Sequence, residues 1–268
     1  MKLLFNGCSF VAGDALTWHI HYPDIDPDLH IWERRPHPRY SEQDIKMLSD
    51  RYWRELRPRD NLAAQVSKLT GLEAIDISAD GNSNRSIALS TIAYISEHPG
   101  DYWVCTGWTE PTRRTVWDTT ADQWINLSLH RLEDVKLPPK LQRYIHCNLV
   151  EAPEQDHVLD YANSLITLNS WLKGRVHGHT QWRSMGPHGS VDCLDRRSQY
   201  GVHVPNLSRL LDPTEWLEDG PEPWCKPSWF YRLEIKDRIS ERNRHPNLSA
   251  VQEQAAKIAE HIQPIVLQ

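Results

Sequence analysis

The chain has 268 residues, 39% of them hydrophobic and 25% charged, with a formal net charge of -6. That balance is globular and argues against disorder. No apolar run approaches the roughly 20 residues that span a bilayer, and the acidic balance argues against non-specific nucleic-acid binding. Five cysteines, Cys8, Cys105, Cys147, Cys193 and Cys225, are widely spaced with no CxxC pair. Reduced thiols and a cytoplasmic setting are the expectation, and neither a zinc ribbon nor a thioredoxin-like site is expected. The short apolar stretch after Met1 reads as no export signal. Twelve tryptophans are an unusual number; some fill core layers, and others can line a groove for an apolar or sugar-like ligand.

Lys2 to Asn6 reads as a buried strand, leading into the small-residue turn Gly7-Cys8-Ser9-Phe10-Val11-Ala12-Gly13. Residues 14–60 are irregular and proline-containing, with a helix expected from Ser41 to about Leu56. This segment leaves the sheet directly after the turn and is long for a connection, so a lid over the turn is expected. Asn61 to Leu69 has helical spacing and Gly71 as its stop. Glu73 to Ile77 alternates as a strand. Gly81-Asn82-Ser83-Asn84 is a loop feeding a helix from about Arg85 to Glu97, and Tyr102 to Thr106 is a third strand ending at Gly107. This strand–helix alternation predicts a parallel sheet covered by helices. Farther on, Val116 to Leu129 suits a hairpin, Asp156 to Leu172 an amphipathic helix, and Ser249 to Ile265 another; Gly174 to Pro227 shows no readable pattern.

A serine in a tight turn straight after a strand is well placed as a nucleophile, because the turn lifts its hydroxyl to the ligand-binding edge of the sheet. Backbone N–H groups beside it can meet a developing oxyanion. The competing reading of Ser9 is a helix cap. Three further blocks follow in order: Ala79-Asp80-Gly81-Asn82-Ser83-Asn84, Gly107-Trp108-Thr109-Glu110 and His245-Pro246-Asn247.

With Gly7-Cys8-Ser9-Phe10 as the first, these four blocks resemble those of the SGNH (GDSL-like) hydrolase family, and within it phage-encoded members. The likeness covers about residues 1–13, 60–110 and 245–266. It implies a single domain over 1–268 with a three-layer α/β/α sandwich, a lid insertion at 14–60 and a divergent region at 110–240. It also implies a serine hydrolase that cleaves a small acyl ester, such as a carbohydrate O-acetyl or a lipid-like ester, through an acyl-enzyme. Ser9 would be the nucleophile and His245 the base, with the Gly81 N–H in the oxyanion hole and no cofactor. The host cytoplasm or a virion would be the setting.

Three residues depart from the family pattern. Cys8 replaces the aspartate of the first block. Thr109 stands where asparagine completes the oxyanion hole, and Asn82 or Asn84 can compensate or contact substrate. Arg242 stands three residues before His245, where an aspartate orients the base; Glu241 and Asp237 are the nearest carboxylates, and a main-chain carbonyl can take the same part. Loss of activity through these changes would leave a binding or virion-structural protein, the rival reading. Trp108, beside the third block, either contacts substrate or fills the core. His177, His179, His188 and Cys193, and the pair His19 and His21, have metal-ligand spacing. With 14 histidines in the chain such pairs arise by chance, and metal independence is expected. Eight basic residues between Trp32 and Asp60 are nearly balanced by six acids, which suits a solvated face with ion pairs better than a nucleic-acid groove.

Overall fold

The computed structural model describes residues 1–13, 16, 20, 55–119, 122–127, 138–152, 154–184, 212–217, 229, 233–239 and 245–266. Strand β1 (Lys2–Gly7) is followed by the single turn α1 (Ser9–Ala12), by α2 (Arg57–Asp60) and α3 (Leu62–Thr70), then by β2 (Ala74–Asp76) and α4 (Asn84–Glu97). β3 (Tyr102–Trp108) leads to a hairpin of β4 (Arg114–Asp118) and β5 (Gln123–Leu127). After it come α5 (Pro139–Ile145), the π-helical turn His146–Val150, α6 (Glu154–Leu172), β6 (Gly178–Arg183) and α7 (Leu248–Val266).

The four strands β2-β1-β3-β6 form one parallel sheet in that order. The fold is therefore α/β with a parallel central sheet. Its two inner strands are continuous buried runs, as expected where both faces are covered: five of the six residues of β1 and all seven of β3 are buried. Alternate side chains serve opposite faces. Leu3, Phe5, Trp103 and Cys105 pack with α3 and α7, through Leu62, Val66, Val251 and Ile258. Leu4, Val104 and Trp108 pack with α4 and α6, through Ile87, Leu165 and Leu168. The helix starts are capped as their sequences suggest: the Asn61 side chain accepts from Ala64 N–H at 2.9 Å and Ser83 from Ser86 N–H at 3.2 Å.

The strand β6 lies inside the stretch with no readable pattern. Its sequence, Gly-His-Thr-Gln-Trp-Arg, is mostly polar, yet His179, Thr180 and Gln181 are buried. Each makes one hydrogen bond to a side chain of β3. His179 Nε2 bonds Thr106 Oγ1 at 2.9 Å, Trp103 Nε1 donates to Thr180 Oγ1 at 2.8 Å, and Trp108 Nε1 donates to Gln181 Oε1 at 2.9 Å. Buried polar groups are tolerated when they are paired in this way.

The strand β3 also runs past its expected end at Thr106, because Gly107 pairs in register with Gly7 of β1. A Cβ at Gly7 would lie 2.3 Å from Val11 Cγ2, and one at Gly107 2.5 Å from the same atom. The two bare positions let α1 sit directly on the sheet edge. Among the described residues no helix is long and apolar enough to cross a membrane. Most of the expected lid, and with it the helix expected from Ser41, lies outside the described residues.

Candidate active site

The turn after β1 is fixed by Asn6. Its buried amide donates to Ile87 O at 3.0 Å, Ser90 Oγ at 2.8 Å and Thr91 Oγ1 at 2.9 Å on α4, while its Oδ1 accepts from Gly7 N–H at 2.8 Å. Ser9 is therefore presented from a rigid strand end, as the first residue of α1, and is buried at 3% exposure. Cys8 is buried too. Burial pushes its thiol pKa up, and the nearby Arg113 charge only partly opposes this. It remains a neutral thiol and is no rival nucleophile.

The last block enters from the other end of the chain. His245 O accepts from Ile239 N–H at 3.0 Å, Asn247 N–H donates to Asp237 O at 2.9 Å, and Asn247 Oδ1 caps α7 by accepting from Ala250 N–H at 3.1 Å. These bonds hold the histidine between the 3₁₀ turn Ile235–Asp237 and α7. Its ring lies beside Phe10, centroids 5.0 Å apart and planes at 31°. His245 Nε2 is 3.1 Å from Ser9 Oγ, a contact between residues 236 positions apart. That distance is within reach for transfer of the serine proton to the ring.

The second block stands beside the same turn. Ala79 N–H and the Asn82 amide both donate to Gly7 O, at 3.2 and 3.0 Å. Asn82 N–H donates to Ala79 O at 3.3 Å across a turn whose Gly81 has φ of 69°. That left-handed conformation costs glycine little and other residues more. Neither Gly81 N–H nor Ser9 N–H has a hydrogen-bond partner among the described residues.

Asn82 and Asn84 form framework contacts. Both are buried; the Asn84 amide donates to Thr109 O at 3.0 Å and Glu110 O at 3.2 Å, and its Oδ1 accepts from Thr109 N–H at 2.8 Å. Asn84 thus pins the loop after β3. Thr109 Oγ1 is buried without a hydrogen-bond partner of ordinary geometry, and the Cys8 thiol is a weak polar neighbour.

Trp108 has no exposed surface and packs edge-on against Tyr161, centroids 6.2 Å apart. Of its two readings, core filling is the one seen. Glu241 and Arg242 lie outside the described residues. Asp237, the other carboxylate near His245 in sequence, accepts from Glu234 N–H at 3.1 Å.

The histidine pair with metal-ligand spacing does not converge. His177 is exposed and 3.7 Å from Asp101. His179 is buried, and burial lowers its pKa to about 3. Its Nδ1 lies 3.7 Å from Glu215 Oε2, too long for a hydrogen bond. Burial first, and Asp212 second, push Glu215 up to about 7. His188, Cys193, His19 and His21 lie outside the described residues. Among the described residues one group, His146, Cys147 and Glu151 on the exposed π-helical turn, has donor atoms close enough to share a metal ion.

A polar cavity of about 390 Å³, walled in part by Ser83, Asn84, Arg113 and Tyr144, opens next to the second block. Neither Ser9 nor His245 lines it. No protein-family model matches the chain, and no curated protein and no solved structure is significantly similar to it.

Proposed function

We propose that the protein is a serine hydrolase of SGNH type that cleaves small acyl esters through an acyl-enzyme. The observation that carries this reading is the 3.1 Å contact between Ser9 Oγ and His245 Nε2 at the C-terminal edge of the sheet. The sheet order and the order of the four blocks along the chain agree with it.

In this mechanism Ser9 Oγ attacks the ester carbonyl as His245 Nε2 accepts its proton. The carbonyl oxygen takes the displaced electron pair, and the uncommitted Ser9 and Gly81 N–H groups donate to it. Collapse of this intermediate expels the alcohol, which leaves with the proton from His245. Water then attacks the acyl-serine, His245 again taking and returning one proton, and the carboxylic acid departs. Thr109 Oγ1, buried and without a partner beside the turn, is the candidate third donor. Its shorter reach than an asparagine amide also favours the second reading, an SGNH-fold binding protein with weak or no turnover.

The two are separated by reacting the protein with a fluorophosphonate probe and assaying it on p-nitrophenyl acetate. Labelling and turnover in the parent, both lost in Ser9→Ala at unchanged melting temperature, support the enzyme. Turnover by Ser9→Ala equal to the parent would sink it.

A further inference from the structure

Twelve tryptophans make the bare ones informative. Trp124 is 65% exposed and Trp117 44% exposed. They are direct cross-strand partners on the β4–β5 hairpin, packed edge to face with centroids 5.3 Å apart and planes at 77°.

Strand alternation puts Thr115, Trp117, Trp124 and Asn126 on one face of this hairpin. The opposite face is committed to packing: Val116 and Ile125 lie against Leu127, Ile145 and Leu149. The tryptophan face is anchored at its near end to the second block. Thr115 Oγ1 donates to Asn126 Oδ1 at 2.7 Å and lies 2.7 Å from Ser83 Oγ, while the Asn126 amide donates to Asp80 O at 3.2 Å. A Cβ at Gly81 would come 3.4 Å from Asn126 Cβ. The tryptophans are the next pair along the same face, two residues or about 7 Å farther along the strands. The aromatic pair thus begins one residue pair away from the Gly81 turn.

Resting on the hydrolase reading above, we propose that Trp117 and Trp124 are a platform for the sugar ring of an acylated carbohydrate substrate. The chemistry of the patch selects this class. An acyl chain is best bound in an enclosed apolar cleft that removes it from water on all sides. Two rings that stay half open to solvent, beside amide and hydroxyl groups, suit a ligand with an apolar face and a polar rim. A pyranose has that form: its axial C–H groups lie on an indole face while its hydroxyls remain hydrated. Cross-strand aromatic pairs also stabilise hairpins; that role accounts for the pairing and leaves the exposed faces unused.

The test uses the full chain in two arms. In the first, Ser9→Ala protein is applied to a glycan array that includes O-acetylated oligosaccharides, with Ser9→Ala/Trp117→Ala/Trp124→Ala as comparison. The platform predicts glycan binding that the triple variant loses while it remains folded at the assay temperature. Equal binding by both proteins, or binding by neither, overturns it. This arm needs no turnover, so it stands even if the hydrolase reading fails. In the second arm, Trp124→Ala should raise KM for an acetylated oligosaccharide about tenfold, leaving kcat unchanged and KM for p-nitrophenyl acetate unmoved. A rise in KM for p-nitrophenyl octanoate, with none for the sugar ester, would give the rings to the acyl chain and overturn the proposal.

Discussion

Two histidines in this molecule each meet a hydroxyl, and their surroundings differ. His179 Nε2 is 2.9 Å from Thr106 Oγ1, and His245 Nε2 is 3.1 Å from Ser9 Oγ. The first pair is sealed between β3 and β6, and burial drives the His179 pKa down to about 3. The second sits at the strand ends, beside two backbone N–H groups with no partner among the described residues. A histidine–hydroxyl contact therefore points to catalysis only where its setting allows it. A base must be able to accept a proton at working pH and the hydroxyl must be reachable by substrate. His179 meets neither condition, and its bond serves to neutralise buried polarity.

The comparison breaks most sharply by exchanging the fates of the two rings. His245→Ala should lower kcat on p-nitrophenyl acetate on the order of 10⁴–10⁶-fold, the scale seen when a triad histidine is removed, at nearly unchanged melting temperature. His179→Ala should do the reverse, leaving kcat within a few-fold and reducing stability by roughly 2–3 kcal/mol in urea unfolding, since Thr106 loses its partner and a cavity opens. Substantial loss of kcat in His179→Ala at intact stability would mean that the buried pair has a part in the chemistry.

The oxyanion contacts come next. Gly81→Ala places a Cβ at φ of 69°, which costs about 1–2 kcal/mol or forces the turn to relax. Rotation of that N–H away from the site should cost on the order of 10² in kcat. An unchanged kcat would remove Gly81 from the oxyanion hole.

His179 and its half-buried neighbour Glu215 have their own signature in stability against pH. Glu215 binds its proton more tightly in the folded state, at about 7, and His179 less tightly, at about 3. Between roughly pH 4.5 and 6.5 the unfolded chain carries one proton on the histidine and the folded chain one on the glutamic acid, so the pair adds no slope. Glu215→Gln removes the balancing member. The remaining histidine is protonated unfolded and neutral folded, so stability should fall by roughly 2 kcal/mol from pH 6.5 to 4.5. Urea midpoints at these pH values check it; a flat profile in the variant would refute the paired titration.

The smallest effect is expected at Glu241. If a main-chain carbonyl orients His245, Glu241→Gln should change kcat less than about threefold, and Arg242→Asp should raise it. A fall near 10⁴-fold, the scale for a neutralised triad carboxylate, would make Glu241 the third member instead.

The sequence carried the first three strands because Lys2 to Asn6 and Tyr102 to Thr106 have apolar centres and Glu73 to Ile77 alternates between two helical patterns. It hid β6, whose burial depends on pairing His179, Thr180 and Gln181 with partners more than 70 residues away. Periodicity records apolar faces and is blind to polarity cancelled across a sheet. At the site, the blocks holding Ser9 and His245 were legible from their order along the chain. The tryptophans were harder to place. Trp108 stood beside a motif and is core, whereas Trp117 and Trp124 are exposed because alternation turns them away from Val116 and Ile125. The hairpin was readable, but which of its faces packs was not.

One consequence of the 236-residue separation between Ser9 and His245 concerns timing. The histidine is held where α7 begins, and α7 closes one face of the sheet. A folding intermediate with β1, β2 and β3 assembled but α7 undocked has the nucleophile in place and no base. Reactivity at Ser9 should therefore appear only once α7 has docked, and partial unfolding that releases α7 should silence the site. Covalent labelling of the serine is in this sense a reporter of α7 docking.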